Sequence, residues 1–166
     1  MNPIDLLSRY AHVLTATVFV GGAVFLRAVL NPTLEDGADP AFDDHRAAVR
    51  EGVRRRWMTW VGAATLVLIA SGLWNYLAVS LPRHKGDGPY HALMGVKMLL
   101  ALVAFFLAAA LSGRSAKLQP IRDGWRTSGA VLVLTLAGVV FVGSYLKMRG
   151  VPADLKPVAD PSAAAT

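Results

Sequence analysis

Cysteine is absent from this chain, and no Asp or Glu falls inside any of its long apolar runs. The first absence excludes disulfides, thiol catalysis, thiolate metal sites and iron–sulfur clusters. The second counts against a proton or sodium pump built on intramembrane carboxylates. Charge of either sign is scarce: 17% of the residues are Asp, Glu, Lys or Arg, against about 25% in a soluble domain. The sequence also has no P-loop, no Ser/His/Asp order that would support a nucleophilic triad, and no internal repeat.

In place of charge the chain carries apolar runs, and 54% of its 166 residues are hydrophobic. The 26 residues between Arg56 and Arg83 are free of Asp, Glu, Lys and Arg, and so are the 20 between Arg126 and Lys147. Tyr10 to Leu30 contains one charge, Arg27, and Gly88 to Ser112 contains one, Lys97. Roughly 20 apolar residues cross the hydrocarbon of a bilayer as a helix. The expected fold is therefore an all-α integral membrane four-helix bundle, a single domain over 1–150, with helices at about 6–30, 57–79, 90–111 and 127–147. The Met-Asn-Pro-Ile-Asp start has no basic residue before Arg9, so the first run reads as a retained helix rather than a signal peptide. Asn31-Pro32 and Leu81-Pro82 read as helix stops. The connection 31–56 begins acidic and ends in Arg54-Arg55-Arg56, with a short surface helix expected over 40–50. The Pro- and Ala-rich tail 151–166 reads as disordered.

The formal net charge of +6 reflects basic residues gathered at helix ends, where topology and anionic headgroups place them. Nucleic acid is not an expected partner; the lipid bilayer is. The first and third connections with the adjoining Arg27 hold ten Lys and Arg (Arg27, Arg46, Arg50, Arg54, Arg55, Arg56, Arg114, Lys117, Arg122 and Arg126). The opposite side holds six (Arg9, Arg83, Lys85, Lys147, Arg149 and Lys156). The positive-inside rule then puts both termini on the outer side, in what is expected to be a bacterial inner membrane. Trp57, Trp60 and Trp125 are expected anchors at one interface, and Trp74 and Tyr76 at the other.

Titratable groups inside a membrane are costly and usually face the bundle interior. Here they are His12, His91 and Lys97, with Arg9 and Arg27 nearer the helix ends. His12 lies about 9 Å below the start of the first helix at 1.5 Å per residue, and Lys97 sits at a similar depth in the third. His12 reads either as a ligand or proton-handling group, or as a neutral histidine bonded to Tyr145, Ser144 or a backbone carbonyl. Lys97 either reaches up to water or pairs with an anionic group in the cavity. His91, Met94 and Met98 fall on one helix face at i, i+3 and i+7; imidazole and thioether hold copper, and imidazole is a usual axial ligand of haem. The plainer alternative makes the two methionines core fillers and His91 an interfacial group. His45 and His84 read as solvated loop residues. The glycines Gly21, Gly22, Gly72, Gly138 and Gly143 read as places where helices approach closely.

Several of these positions carry a family resemblance. Arg9-Tyr-Ala-His12, Gly21-Gly22-Ala-Val-Phe25-Leu-Arg27 and Asn31-Pro32 resemble the first helix of the copper-resistance D (CopD-like) membrane proteins. Ser71-Gly72-Leu73-Trp74 resembles the end of their second helix, and Tyr90-His91 followed by Lys97-Met-Leu-Leu their third. The HemJ-type protoporphyrinogen oxidases are similar in the first-helix histidine, the Gly…Phe-Leu…Arg stretch and the third-helix lysine. The resemblance implies a four-helix haem-associated protein with His12 as haem ligand, Arg27 as a supporting cation and Lys97 as a site residue. Three functions follow as expectations. The first is electron transfer or redox chemistry at a b-type haem or copper site near the outer face, with His91 or Met94 and Met98 as partners of His12 and a redox protein as partner of the chain. The second is copper transport or handling along His91, Met94, Met98 and Met148. The third is a membrane anchor or accessory subunit that docks through the charged segment 33–56.

Overall fold

The computed structural model describes residues 2–35 and 40–152; most of the expected tail, 153–166, lies outside the described residues. Four long helices make up the fold: α1 (Pro3–Glu35), α2 (Asp43–Arg83), α3 (Gly88–Ser112) and α4 (Trp125–Arg149). All four are long and apolar enough to cross a membrane. No strand occurs among the described residues. α1 packs on α2, α2 on α3 and α3 most extensively on α4, while α4 closes the ring against α1. The result is an up-down-up-down bundle with the described N- and C-terminal ends at one face, here the termini face. The connections α1–α2 and α3–α4 share the opposite face.

Local chemistry accounts for the helix starts. Asn2 caps α1, its Oδ1 accepting the Ile4 N–H at 3.0 Å, with Pro3 at the first helical position. Asp87 caps α3 in the same manner by accepting the Tyr90 N–H at 3.1 Å. The tight turn before it passes through Gly86 at φ 85°, a left-handed conformation open to glycine at little cost.

Two sequence expectations about helix ends are corrected. α1 and α2 do not stop at Asn31-Pro32 and Leu81-Pro82 but run through both prolines. Each helix widens to a π turn just ahead of its proline, at Leu26–Leu30 and at Asn75–Ser80. The Asn31 N–H reaches back to the Leu26 carbonyl, and the Leu81 N–H to that of Tyr76. A proline in a regular helix lacks its N–H and collides with the carbonyl four residues earlier; a wider turn accommodates both defects. The second correction concerns the connection 31–56. From Asp43 it is not a loop with a separate surface helix but the continuous start of α2. Acidic Asp43 and Asp44 lie in its first turn, and Asp43–Arg46 and Glu51–Arg54 pair at i, i+3. At 41 residues α2 is about 60 Å long, so its charged start projects beyond the hydrocarbon.

The bundle places small side chains inside and large ones outside. Ala104, Ala108 and Ala110 have 0%, 1% and 0% exposure, whereas Leu66, Leu134 and Phe141 on the outer surface have 72%, 71% and 72%. A soluble bundle would invert this pattern; helices surrounded by lipid gain nothing by hiding leucine and approach closely through alanine and glycine. The interior cluster of Phe19, Ala23, Val61, Ala64, Leu68, Ala104, Ala108, Leu132 and Leu136 fills the half away from the termini face. Phe19 anchors it, edge-on to Phe105 at 5.8 Å between ring centroids and tilted against Trp57 at 6.3 Å.

Candidate functional site

With the apolar cluster filling one half, the polar side chains occupy the half toward the termini. α1 and α2 meet there along a polar seam. Trp74 donates its indole N–H to Asp5 at 3.2 Å, Ser8 Oγ donates to the Ser71 carbonyl at 3.3 Å, and His12 Nδ1 lies 2.9 Å from Ser71 Oγ. Asp5, Ser8 and His12 recur at i, i+3 and i+7, one face of α1.

The Ser71 hydroxyl decides which proton His12 carries. Ser71 Oγ donates its single hydrogen to the Val67 carbonyl at 2.5 Å. Toward His12 it can only accept, so Nδ1 bears the proton and a neutral ring keeps its lone pair on Nε2. The ring edge lies against Gly72, where a β-carbon would stand 3.1 Å from His12 Cε1. Of the expected partners, Tyr145 and Ser144 are replaced by Ser71, while a backbone carbonyl is indeed engaged, that of Leu68. A histidine whose Nδ1–H is held by the protein has the arrangement that orients imidazole ligands elsewhere.

Lys97 of α3 approaches from the other side of the bundle. Its side chain rests on Gly143 of α4, where a β-carbon would be 3.4 Å from both Cε and Nζ. His12 and Lys97 lie within electrostatic reach of one another. Each of these groups is thus seated on a glycine of the neighbouring helix.

His91 is engaged differently. Its Nε2 is 3.0 Å from the His84 carbonyl and its Nδ1 is 3.1 Å from Tyr76 Oη. A carbonyl only accepts, so Nε2 donates, and Nδ1 accepts from the tyrosine hydroxyl. Ligation by His91 would require breaking one of these bonds. Met94 and Met98 are half-buried. Among the described residues no three His, Cys, Asp or Glu side chains gather as a metal site would require.

His84 corrects a second expectation. It is buried, not solvated: its ring stacks on Tyr90 at 3.5 Å with a 6° interplanar angle, and its Nδ1 lies 3.4 Å from Asp87. Asp87 in turn takes both terminal nitrogens of Arg149. That forked pair, aided by the Tyr90 N–H and His84 and opposed by burial, holds the Asp87 carboxyl down to about 2 from its usual 3.8. Sequence reasoning missed this clasp. The one available signal was Asp87 three positions ahead of Tyr90 with Pro89 between them, a helix-cap pattern.

Arg27 does not join His12 and Lys97. It lies 15 positions further along α1, about 22 Å away at 1.5 Å per residue, at the face opposite the termini. Its Nε donates to the Arg126 carbonyl at 3.0 Å, its guanidinium stands 5.4 Å from the Trp125 ring centroid, and its stem crosses Gly129. There it lines a cavity of about 220 Å³ with Arg50, Arg54 and Arg122. The sequence-predicted set is therefore divided: His12 and Lys97 at one end, His91 beside them but occupied, and Arg27 at the other end.

Comparison of the chain with protein-family models, with curated proteins and with solved structures finds no match.

Proposed function

We propose that this chain is a CopD/HemJ-like membrane redox protein that holds a b-type haem through His12 near the termini face. The observation that carries the reading is the anchored ring of His12, with Nδ1 on Ser71 Oγ, whose own hydrogen goes to the Val67 carbonyl. Haem requires one strong imidazole ligand, whereas a copper site requires several soft donors brought together. One anchored imidazole at His12 and an occupied His91 fit the first requirement better than the second. When bound, haem supplies reversible one-electron chemistry at iron.

The chain's own residues then do the following. His12 would hold the haem iron, and Ser71 with the Val67 carbonyl behind it would keep the ring oriented and basic. Lys97, with no carboxylate in the long apolar runs to neutralise it, would supply the positive charge that an anionic propionate needs in a low-dielectric setting. Gly72 and Gly143 leave the space in which these two side chains lie. His91, Tyr76 and His84 form a hydrogen-bonded wall toward the termini face and are not ligands in this reading.

The deciding experiment is a reduced-minus-oxidised spectrum of the full-length protein purified in detergent, for wild type, His12→Ala and His91→Ala. The expected result is a b-type signature in wild type, its loss in His12→Ala and its retention in His91→Ala. A wild-type protein without a Soret band, or an unchanged spectrum in His12→Ala, overturns the reading; bound copper by metal analysis would replace it.

A further inference from the structure

The cavity at the face opposite the termini has an unusual charge balance. Four arginines line it, Arg27, Arg50, Arg54 and Arg122, against a single carboxylate, Glu35. Two of these charges are already answered. Arg54 is held by Glu51 through Nε and Nη2, and its Nη1 donates to the Ser112 and Gly113 carbonyls at 2.8 Å each. Glu35 accepts from Trp125 Nε1 at 2.6 Å and Arg126 Nη2 at 2.9 Å, so its oxygens are turned to residues of α4. Arg27, Arg50 and Arg122 make no close ion pair among the described residues, Arg50 acting on Glu35 only through space.

Arg122 adds a second, independent sign. Its Nη2 donates to the Ser115 carbonyl at 2.8 Å and to Gln119 Oε1 at 2.6 Å. Its Nη1 is buried with no hydrogen-bond partner, alone in this among the side-chain atoms of the described residues. A buried N–H of a cation left without an acceptor is costly, and native structures rarely keep one without a reason. Here it belongs to a residue that lines a cavity with two other guanidinium groups outside any close ion pair.

We propose that this cavity binds a phosphate group, held by Arg27, Arg50 and Arg122. Three guanidinium groups outside any close ion pair exceed what the single carboxylate of Glu35 can answer, whereas a phosphate offers more charge and more acceptor oxygens in a geometry that matches the fork. The phosphate is carried either by an anionic phospholipid or by a free anion. The cavity suits an amphiphilic carrier: Trp57 and Trp125 in its wall are side chains of headgroup depth, and Leu26, Ala108 and Leu132 give it an aliphatic floor. The proposal is independent of haem binding at the other end.

The test uses the full-length protein in nanodiscs and follows its thermal unfolding. One arm replaces part of a phosphatidylcholine bilayer with phosphatidylglycerol; the other adds inorganic phosphate to pure phosphatidylcholine discs, with chloride at equal ionic strength as reference. The variants are Arg50→Gln and Arg122→Gln. Arg114→Gln is the control, because it removes a cation at the same face from a side chain that is exposed, paired with Glu51 and outside the cavity. Stabilisation of wild type and Arg114→Gln, with apparent affinity weakened about tenfold or more in the cavity variants, supports the proposal. If phosphatidylglycerol produces it the carrier is the lipid, and if inorganic phosphate alone produces it the carrier is the free anion. No stabilisation by either probe, or an equal loss in Arg114→Gln and the cavity variants, overturns it. Should Arg122→Gln fail to fold, Arg50→Gln decides, since Arg50 is exposed on the projecting start of α2.

Discussion

Arg149, the last residue of α4, places both terminal nitrogens on the carboxylate of Asp87, at 2.8 and 2.9 Å across 62 positions of sequence. Asp87 is at the same time the cap of α3, through the Tyr90 N–H. One carboxylate thus joins the end of α4 to the start of α3 and to the α2–α3 turn. Arg149→Ala is expected to lower the thermal midpoint, and Asp87→Ala to lower it further, because it also removes the cap. The sign with pH follows from the depressed Asp87 carboxyl. Its stabilising contribution is fully present above the ordinary carboxyl value of 3.8 and is lost as pH falls toward about 2. The difference in midpoint between wild type and Asp87→Ala should therefore shrink on acidification from pH 5 to the lowest pH the detergent-solubilised protein tolerates. A constant difference over that range would show that the clasp adds nothing through its charge.

Ser71→Ala isolates the tautomer argument. It removes the acceptor that holds the proton on Nδ1 of His12 while leaving the imidazole in place. Loss of such a partner typically weakens a ligand site by about 10- to 100-fold. Haem titration of the apoprotein should show that loss, with Ser71→Thr recovering part of it. Equal affinity in wild type and Ser71→Ala would make the Ser71 contact a packing detail.

Lys97→Met distinguishes a site residue from a tolerated charge. As partner of an anionic propionate, its loss should lower haem retention or shift the midpoint potential in a redox titration, with the helix content intact. If Lys97 only reaches toward water, removing the charge should raise the thermal midpoint and leave haem content unchanged, since an ammonium within a span costs about 3 kcal/mol on insertion scales.

Gly22→Ala should destabilise the fold without touching the His12 end of the bundle. A β-carbon there would stand 2.2 Å from Cη2 of Trp57, a ring fixed by Phe19. Overpacking of this kind costs about 1–3 kcal/mol. Gly21→Ala is the matched control, because nothing lies within 4 Å of its β-carbon position. Equal stability of the two variants would contradict the α1–α2 packing.

Single cysteines at Ala47 and Lys85 test the topology against a background that has none. Ala47 lies on the projecting start of α2 and Lys85 in the α2–α3 turn, both exposed. An impermeant thiol reagent added to sealed vesicles should label one and not the other. Labelling of both from the same side would contradict a span between them.

The number of helices, the membrane and the approximate depth of each polar residue are written in the sequence, because hydropathy and the 1.5 Å rise act along the chain and need no partner. The same arithmetic already separates Arg27 from His12 by 15 positions on one helix, so that part of the site's division is legible too. What the sequence does not carry is which face each helix turns to its neighbours. Two prolines read as stops become π turns, because the widened backbone removes the clash that would have ended each helix. Hydrogen-bond partners depend on that rotation and on which glycine leaves room. Ser71 fixing the proton of His12, the occupation of both nitrogens of His91, and the unanswered Nη1 of Arg122 are therefore decided only when four helices are packed side by side. Each is a relation between residues 7 to 59 positions apart or a consequence of burial, and neither exists in the chain before it folds.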